Sequence, residues 1–414
     1  MTPPSWPEMF RVFGRIGLMS FGGPAAQIAV MHRELVKDRP WLSEQTYLRA
    51  LSLCMLLPGP EAMQLATYAG WRLRGVAGGL LGGLLFVVPG AAFIAVLALL
   101  YAWYGQLPLV QTAFLGIKAA VIIVVFQALL KVSSRALHGR IGWALAFGSF
   151  IGIFVLGLPF PLIILLAGAI GMLTESPAAV IEPASLPPAR SLRTLLIWGG
   201  LWAAPLVLLA LLGEDFLLQL GLFFSKLAVV TFGGAYAVLA YMTQTVVQDF
   251  GWINTDQMID ALGLAETTPG PLILVTQFVG MLAGFAQSGP SGALAAGLLA
   301  LWVTFTPCFL WIFLAGPYLE ALSERPRIAG ALRAITAAVV GVIANLSVWF
   351  ALHVLFDRVA PGTTLALPAP VWESFNLLAA ALTLLATVLM LALKRGFVVT
   401  MILLAVLALL LRAI

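Results

Sequence analysis

The chain has 414 residues, 62% of them hydrophobic and only 9% charged, with a net charge of +5. That balance excludes a soluble globular domain, and the basic residues are scattered among loops rather than gathered into a nucleic-acid surface. Two cysteines (Cys54, Cys308) inside apolar segments and three scattered histidines (His32, His138, His353) offer neither a disulfide framework nor a metal centre.

In chain order, Met1–Arg11 has no apolar core ahead of a cleavage site, so no removed signal peptide is expected. Ser20-Phe21-Gly22-Gly23-Pro24 then interrupts an apolar segment, and Pro58-Gly59-Pro60-Glu61 interrupts the next. Long uncharged stretches such as Gly78–Trp103 and Leu377–Leu393 are long enough to cross a bilayer, which takes about 20 residues and at the least about 17. The stretch Thr174–Arg193 is rich in Pro, Ala and Ser and reads as a linker. Beyond it the interruptions recur as Thr231-Phe232-Gly233-Gly234 and Pro269-Gly270-Pro271. Thr231 stands 211 positions after Ser20, and Pro269 stands 211 after Pro58. Met31 and Trp41 match Met242 and Trp252 at that offset. Further on, Pro89, Lys118 and Gln127 match Pro307, Thr336 and Asn345 at an offset of 218, so the second copy gains seven residues between Glu61 and Pro89.

The chain is therefore a duplication, divided as residues 1–173, a linker 174–193, and residues 194–414. Loop charge sets the relative orientation of the copies. Arg33, Lys37, Arg39, Arg72 and Arg74 follow the two motifs of the first copy, whereas Thr243–Thr255 and Phe285–Ser291 hold no Lys or Arg. The next loop reverses this: Gly105–Leu109 is uncharged and its counterpart region holds Arg325, Arg327 and Arg333. Cytoplasmic loops concentrate Lys and Arg, so the halves are expected in opposite orientations. The expected fold is an all-α polytopic membrane protein of two homologous halves in inverted topology, each with two broken or re-entrant helical elements. About nine full spans accompany these four broken elements, five before Glu214–Asp215 and four after Gly289, whereas counting every apolar segment would give up to about thirteen. The N-terminus is expected in the cytoplasm and the C-terminus in the periplasm.

Helix breaks at membrane depth are tolerated where the backbone lines a protein-enclosed cavity, and in duplicated transporters they mark the binding site. A new helix N-terminus after each break presents N–H groups and the positive end of a dipole, which suits an anion. The candidate binding residues are Ser20, Gly22, Gly23, Gln27, Pro58, Gly59, Gln64 and Lys118 in the first copy. In the second they are Thr231, Gly233, Gly234, Thr268, Gly270 and Gln277. Their hydroxyls and amides were counted as donors to a tetrahedral oxyanion, a solute that accepts hydrogen bonds from every side. Arg15 and Lys226 match at the same offset and are expected to attract an anion, although snorkelling at a helix end explains them equally well. Lys118 lies in an otherwise apolar stretch, where a charge is costly and marks function by default. Glu61 and Glu266 flank the two Pro-Gly-Pro breaks and are candidates for proton coupling, with a helix cap or an ion pair as the plainer reading.

Ser20-Phe-Gly-Gly-Pro24 with Gln27, Leu57-Pro-Gly-Pro-Glu61 with Gln64, and Ala265-Glu-Thr-Thr-Pro-Gly-Pro271 with Gln277 closely resemble the chromate ion transporter (CHR) family in its long, two-domain form. The resemblance runs through nearly the whole chain. It implies a bacterial inner-membrane protein that exports chromate and confers resistance. No cofactor and no enzymatic activity are expected. The expected partners are chromate or a related oxyanion and the lipid bilayer, with a second copy of the chain as a further candidate and nucleic acid excluded. The alternatives are a transporter of another oxyanion such as sulfate, working as exchanger or importer, then a membrane-embedded enzyme, then a channel.

Overall fold

A computed structural model describes residues 3–174, 188–232, 234–318, 326–360 and 368–413. They are almost entirely helical, with one short antiparallel pairing, β1 (Val359–Ala360) with β2 (Ala369–Pro370). Of the stretch read as a linker, 175–187 lies outside the described residues and Pro188 onward is helical. The chain packs as two compact units, each drawn from both sequence copies. One holds Met1–Leu99, Glu175–Ala235 and Thr268–Ala329; the other holds Leu100–Thr174, Tyr236–Thr267 and Gly330–Ile414.

In the first unit, α1 (Trp6–Met19) is capped by Ser5, whose side chain accepts from the Glu8 amide. It ends at Ser20, and α2 (Gly23–His32) starts with Pro24 in its first turn and continues as a π-helical turn, Arg33–Lys37. Were α1 and α2 one straight rod, Arg15 and Glu34 would be about 28 Å apart at 1.5 Å per residue. Instead Arg15 Nε lies 3.5 Å from Glu34 Oε1, and the Phe13 ring centroid lies 6.3 Å from that of Trp41. The element turns back on itself at the glycine pair.

The second break behaves likewise. α3 (Glu44–Leu56) runs antiparallel to α2: His32 meets Glu44 at 2.9 Å and the Tyr47 hydroxyl donates to the Ile28 carbonyl at 2.6 Å. α4 (Glu61–Tyr104) is a hairpin of two helical arms. Arg74 (φ −143°, ψ 36°) and Gly75 (φ 62°, ψ −155°) reverse the chain with no intervening loop. Positive φ with that ψ is open to glycine alone. The arms touch through glycine: a Cβ on Gly70 would sit 2.1 Å from the Gly78 carbonyl oxygen. The turn returns to the start of α1, where Arg74 Nε donates to the Pro4 carbonyl at 2.7 Å and its guanidinium lies 5.0 Å from the Trp6 ring. Both broken elements of the first copy thus enter and leave at one end.

The second copy contributes α8 (Pro188–Leu212), α9 (Asp215–Val230) and α12 (Val275–Ala315) to this unit. Ser288 (φ −143°, ψ 23°) and Gly289 (φ 64°, ψ −150°) reproduce the hairpin turn, and Gly284 meets the Gly292 carbonyl as Gly70 meets that of Gly78. These pairs match at an offset of 214. The seven-residue gain therefore falls in two places. Three residues form the 3₁₀ turn Leu272–Leu274 after the break, and four, about one α-helical turn, extend the second arm before Pro307.

The second unit holds α5 (Pro108–Ala136), α6 (Gly139–Phe154), α7 (Phe160–Thr174), α10 (Ala235–Thr243), α11 (Thr255–Thr267), α13 (Pro326–Leu355), α14 (Leu377–Thr387) and α15 (Phe397–Ala413). Small residues allow close approach here too: a Cβ on Gly116 would stand 2.4 Å from the Leu404 backbone, and one on Gly341 2.0 Å from the Ala146 carbonyl.

Among the described residues, five helices are long and apolar enough to cross a membrane: Glu61–Tyr104, Pro108–Ala136, Ser191–Leu212, Leu272–Tyr318 and Arg327–Leu355. Four shorter apolar helices accompany them, Gly139–Phe154, Phe160–Thr174, Leu377–Ala392 and Phe397–Arg412. None of the apolar window of Ser191–Leu212 is buried by protein, and Leu196 and Leu211 are 66% and 80% exposed. Apolar surface of that extent needs lipid as its solvent. The protein is an all-α, multi-pass membrane protein of two homologous halves.

Candidate functional site

The four breaks meet pairwise in the first unit. The Gly59 amide donates to the Thr231 carbonyl at 2.9 Å, and the Gly270 amide donates to the Ser20 carbonyl at 2.9 Å. Gly59 and Gly270 are repeat equivalents, as are Ser20 and Thr231. Each glycine-pair break of one copy is thus tied to the Pro-Gly-Pro break of the other, twice over, by the same bond.

Gly59 and Gly270 adopt φ of 117° and 90°, which a side chain resists. Each also lacks room. A Cβ on Gly59 would lie 2.9 Å from Gln64 Nε2 and 3.0 Å from Cys308 Sγ, and one on Gly270 would lie 3.2 Å from Leu274 Cδ1.

Several of the side chains expected to donate to a solute donate to the backbone in this structure. Ser20 Oγ donates to the Ile16 carbonyl and Thr231 Oγ1 to the Leu227 carbonyl, both at 2.6 Å. Gln27 Nε2 donates to the Gly270 carbonyl at 2.6 Å and reaches the Ser20 carbonyl at 3.4 Å. Gln64 Nε2 donates to the Pro58 carbonyl at 2.7 Å, and Gln277 Nε2 to the Ala91 carbonyl at 3.0 Å. A helix break frees carbonyls that buried surroundings cannot leave unpaired, and these residues take them up. Main-chain N–H groups also stand at the breaks, at the N-termini of α2 after Gly22 and Gly23 and of α4 after Pro60.

The remaining candidates distribute as follows. Thr268 is 4% exposed beside its break. Gly234 has φ of 101°, and Gly233 lies outside the described residues. Arg15 and Arg39 both pair with the buried Glu34, at 3.5 and 2.7 Å, so the charge of Arg15 is met on α2. Lys226 is exposed on α9, and Glu61 is half-buried at the start of α4. Glu266 accepts a hydrogen bond from the Tyr236 hydroxyl within the second unit.

Lys118 belongs to that second unit, in a cluster the sequence reading did not assemble. Its ammonium donates to Asp256 Oδ1 at 2.5 Å and lies 3.7 Å from Asp260 Oδ1. Asp260 is fully buried and accepts from the Tyr101 hydroxyl at 2.6 Å. A signal was present in the sequence: Asp260 is the one charge in the run Met258–Leu264, on a helix whose neighbour Lys118 needed a counter-charge.

The sequence profile of the family described as chromate transporter matches residues 7–172 and 218–410. The chain belongs to the chromate transporter family. The two matched regions are the two copies that supply the crossed breaks. A probable chromate transport protein of Synechococcus elongatus is 32% identical over 84% of this chain and 86% of its own length. A chromate transport protein of Pseudomonas aeruginosa is 33% identical over 82% of this chain and 80% of its own length. One from Cupriavidus metallidurans is 29% identical over 84% of each. No solved structure matches.

Proposed function

We propose that this protein is a secondary transporter that exports chromate across the bacterial inner membrane by alternating access. Family membership and the names of the relatives support the substrate. The observation that carries the site is the reciprocal pair of bonds joining the breaks of the two copies, Gly59 to Thr231 and Gly270 to Ser20. On this reading the N-termini of α2 and α4, beside the breaks of the second copy, offer the main-chain N–H groups and helix dipoles that favour a dianion. The site then opens to one side of the membrane and the other in turn. Loop charge supports the inverted arrangement, with the N-terminus cytoplasmic and the C-terminus periplasmic.

Energy need not come from a nucleotide. With the cell interior negative, each charge gains about 2.3 kcal/mol per 100 mV on leaving, and a dianion about twice that. The factor is over a thousandfold in gradient.

The test is flux of labelled chromate in proteoliposomes at a set potential. Outward flux rising with interior-negative potential, saturable in chromate, is expected. Flux of sulfate with none of chromate would replace the substrate, and unsaturable flux would make the protein a channel.

A further inference from the structure

We propose that Asp260 is the protonation site that couples transport to a proton gradient; the proposal rests on the oxyanion-transport reading above. Asp260 is 0% exposed on α11, and its two oxygens differ. Oδ2 accepts the Tyr101 hydroxyl at 2.6 Å, whereas Oδ1 has no hydrogen-bond partner among the described residues. The Lys118 ammonium stands 3.7 Å from that bare oxygen and donates to Asp256 Oδ1 at 2.5 Å. The Asp256 side chain is 63% exposed, so three side chains lead from a wet carboxylate to a dry one.

Charge counting decides what the cluster takes. One ammonium and two carboxylates sum to −1, which repels a dianion, and Lys118 is already engaged. One proton on Asp260 Oδ1 brings the sum to zero and leaves the buried carboxyl neutral. A metal cation would have to displace the Lys118 ammonium from Oδ1; a proton does not. The titratable groups facing the cluster are Tyr101 from α4, Lys118 from α5, Asp256 from α11 itself and His353 from α13, which feels the charge of Asp256. The proton comes from water by way of Asp256, forms an O–H bond at Asp260 Oδ1, and returns to water when the site faces the other side. Lys118 passes a proton to Asp260 Oδ1, breaking an N–H bond as the O–H bond forms, and takes one back from Asp256, so it ends the step as the same ammonium and holds the two carboxylates in place.

The cluster occurs once. At offsets of 211 and 218 the repeat equivalents of Asp260, Asp256 and Lys118 are Arg49, Gln45 and Thr336, so this cluster, built from both copies, has no counterpart of matching charge in the repeat.

The experiment measures labelled chromate in proteoliposomes with the potential clamped at zero, both as exchange against unlabelled chromate and as net flux driven by an imposed pH gradient. The wild-type protein is expected to do both. In Asp260→Asn, gradient-driven flux relative to exchange should fall at least tenfold, and Asp260→Glu should restore it with a displaced pH profile. Wild-type exchange that ignores the pH gradient would overturn the proposal and leave the transport reading intact; absence of wild-type exchange would overturn the transport reading itself. Equal loss of exchange and gradient-driven flux in Asp260→Asn, with no recovery in Asp260→Glu, would make Asp260 structural. A sodium gradient substituting for the pH gradient would also overturn the assignment.

Discussion

The amide of Gly59 and the carbonyl of Thr231, 172 positions apart, are hydrogen-bonded at 2.9 Å, with Gly270 and Ser20 bonded identically. Two halves that differ in most of their side chains have kept the same pair of main-chain bonds. The bonds depend on backbone that only glycine adopts without strain, so they can be tested by the smallest side chain.

Gly59→Ala must bear both a left-handed φ, at about 1–2 kcal/mol, and a Cβ 2.9–3.0 Å from Gln64 and Cys308. Gly270→Ala bears the same kind of φ with a looser fit, its nearest atom a flexible leucine methyl at 3.2 Å. Both variants should melt earlier in detergent and transport less, Gly59→Ala more severely. Equal, wild-type melting of both would mean that the crossed bonds do not hold the breaks.

Much of this fold was legible before any coordinates. The duplication and the breaks are written in glycine and proline, whose backbone effects are local, so sequence alone places them. The break at Ser20–Gly23 is legible in the glycine pair followed by Pro24, which ends one helix and opens the next. The roles of Gln27, Gln64 and Gln277 were not legible. An amide near a break can reach any freed carbonyl around it, and only the folded positions of Gly270, Pro58 and Ala91 show which carbonyl each one meets. Asp260 escaped for a related reason. Its partners Tyr101 and Lys118 lie 159 and 142 positions away, and pairing over such separations is set by helix packing.

Gln27 tests the capping role. Gln27→Ala leaves the Gly270 carbonyl buried without its donor, at a cost of about 1–3 kcal/mol. Gln27→Glu sets a carboxylate against two carbonyls, Gly270 and Ser20, and should be worse than Gln27→Ala. If Gln27 instead served the solute directly, Gln27→Ala would raise the half-saturating chromate concentration without lowering the melting temperature. The capping geometry predicts that both change together.

Re-entrance makes a topological prediction. Ser5, Lys37 and Arg72 are exposed and flank the two broken elements of the first copy. Single substitutions Ser5→Cys, Lys37→Cys and Arg72→Cys should all react with a membrane-impermeant thiol reagent from the same side. The native thiols give little background, with Cys54 and Cys308 at 0% and 1% exposure. Labelling of Lys37→Cys from the side opposite to Ser5→Cys would require a full crossing and would undo the hairpin assignment.

The Lys118 cluster makes a stability prediction separate from coupling. Removing the ammonium in Lys118→Ala strands Asp260 without a counter-charge, and breaking a buried pair in this way costs about 3–5 kcal/mol. Removing both charges in Lys118→Ala/Asp260→Ala eliminates the stranded charge, leaving mainly lost packing, so the double variant should melt above Lys118→Ala. The deficit of Lys118→Ala should also narrow as pH falls, because a proton can neutralise the carboxylate that lysine no longer faces; the double variant should show less of this recovery. Melting curves of the three proteins across a pH series decide the matter. A double variant that melts at or below Lys118→Ala at every pH would mean that the ammonium contributes packing along its stem rather than charge, and the pairing of Lys118 with Asp260 would lose its energetic meaning.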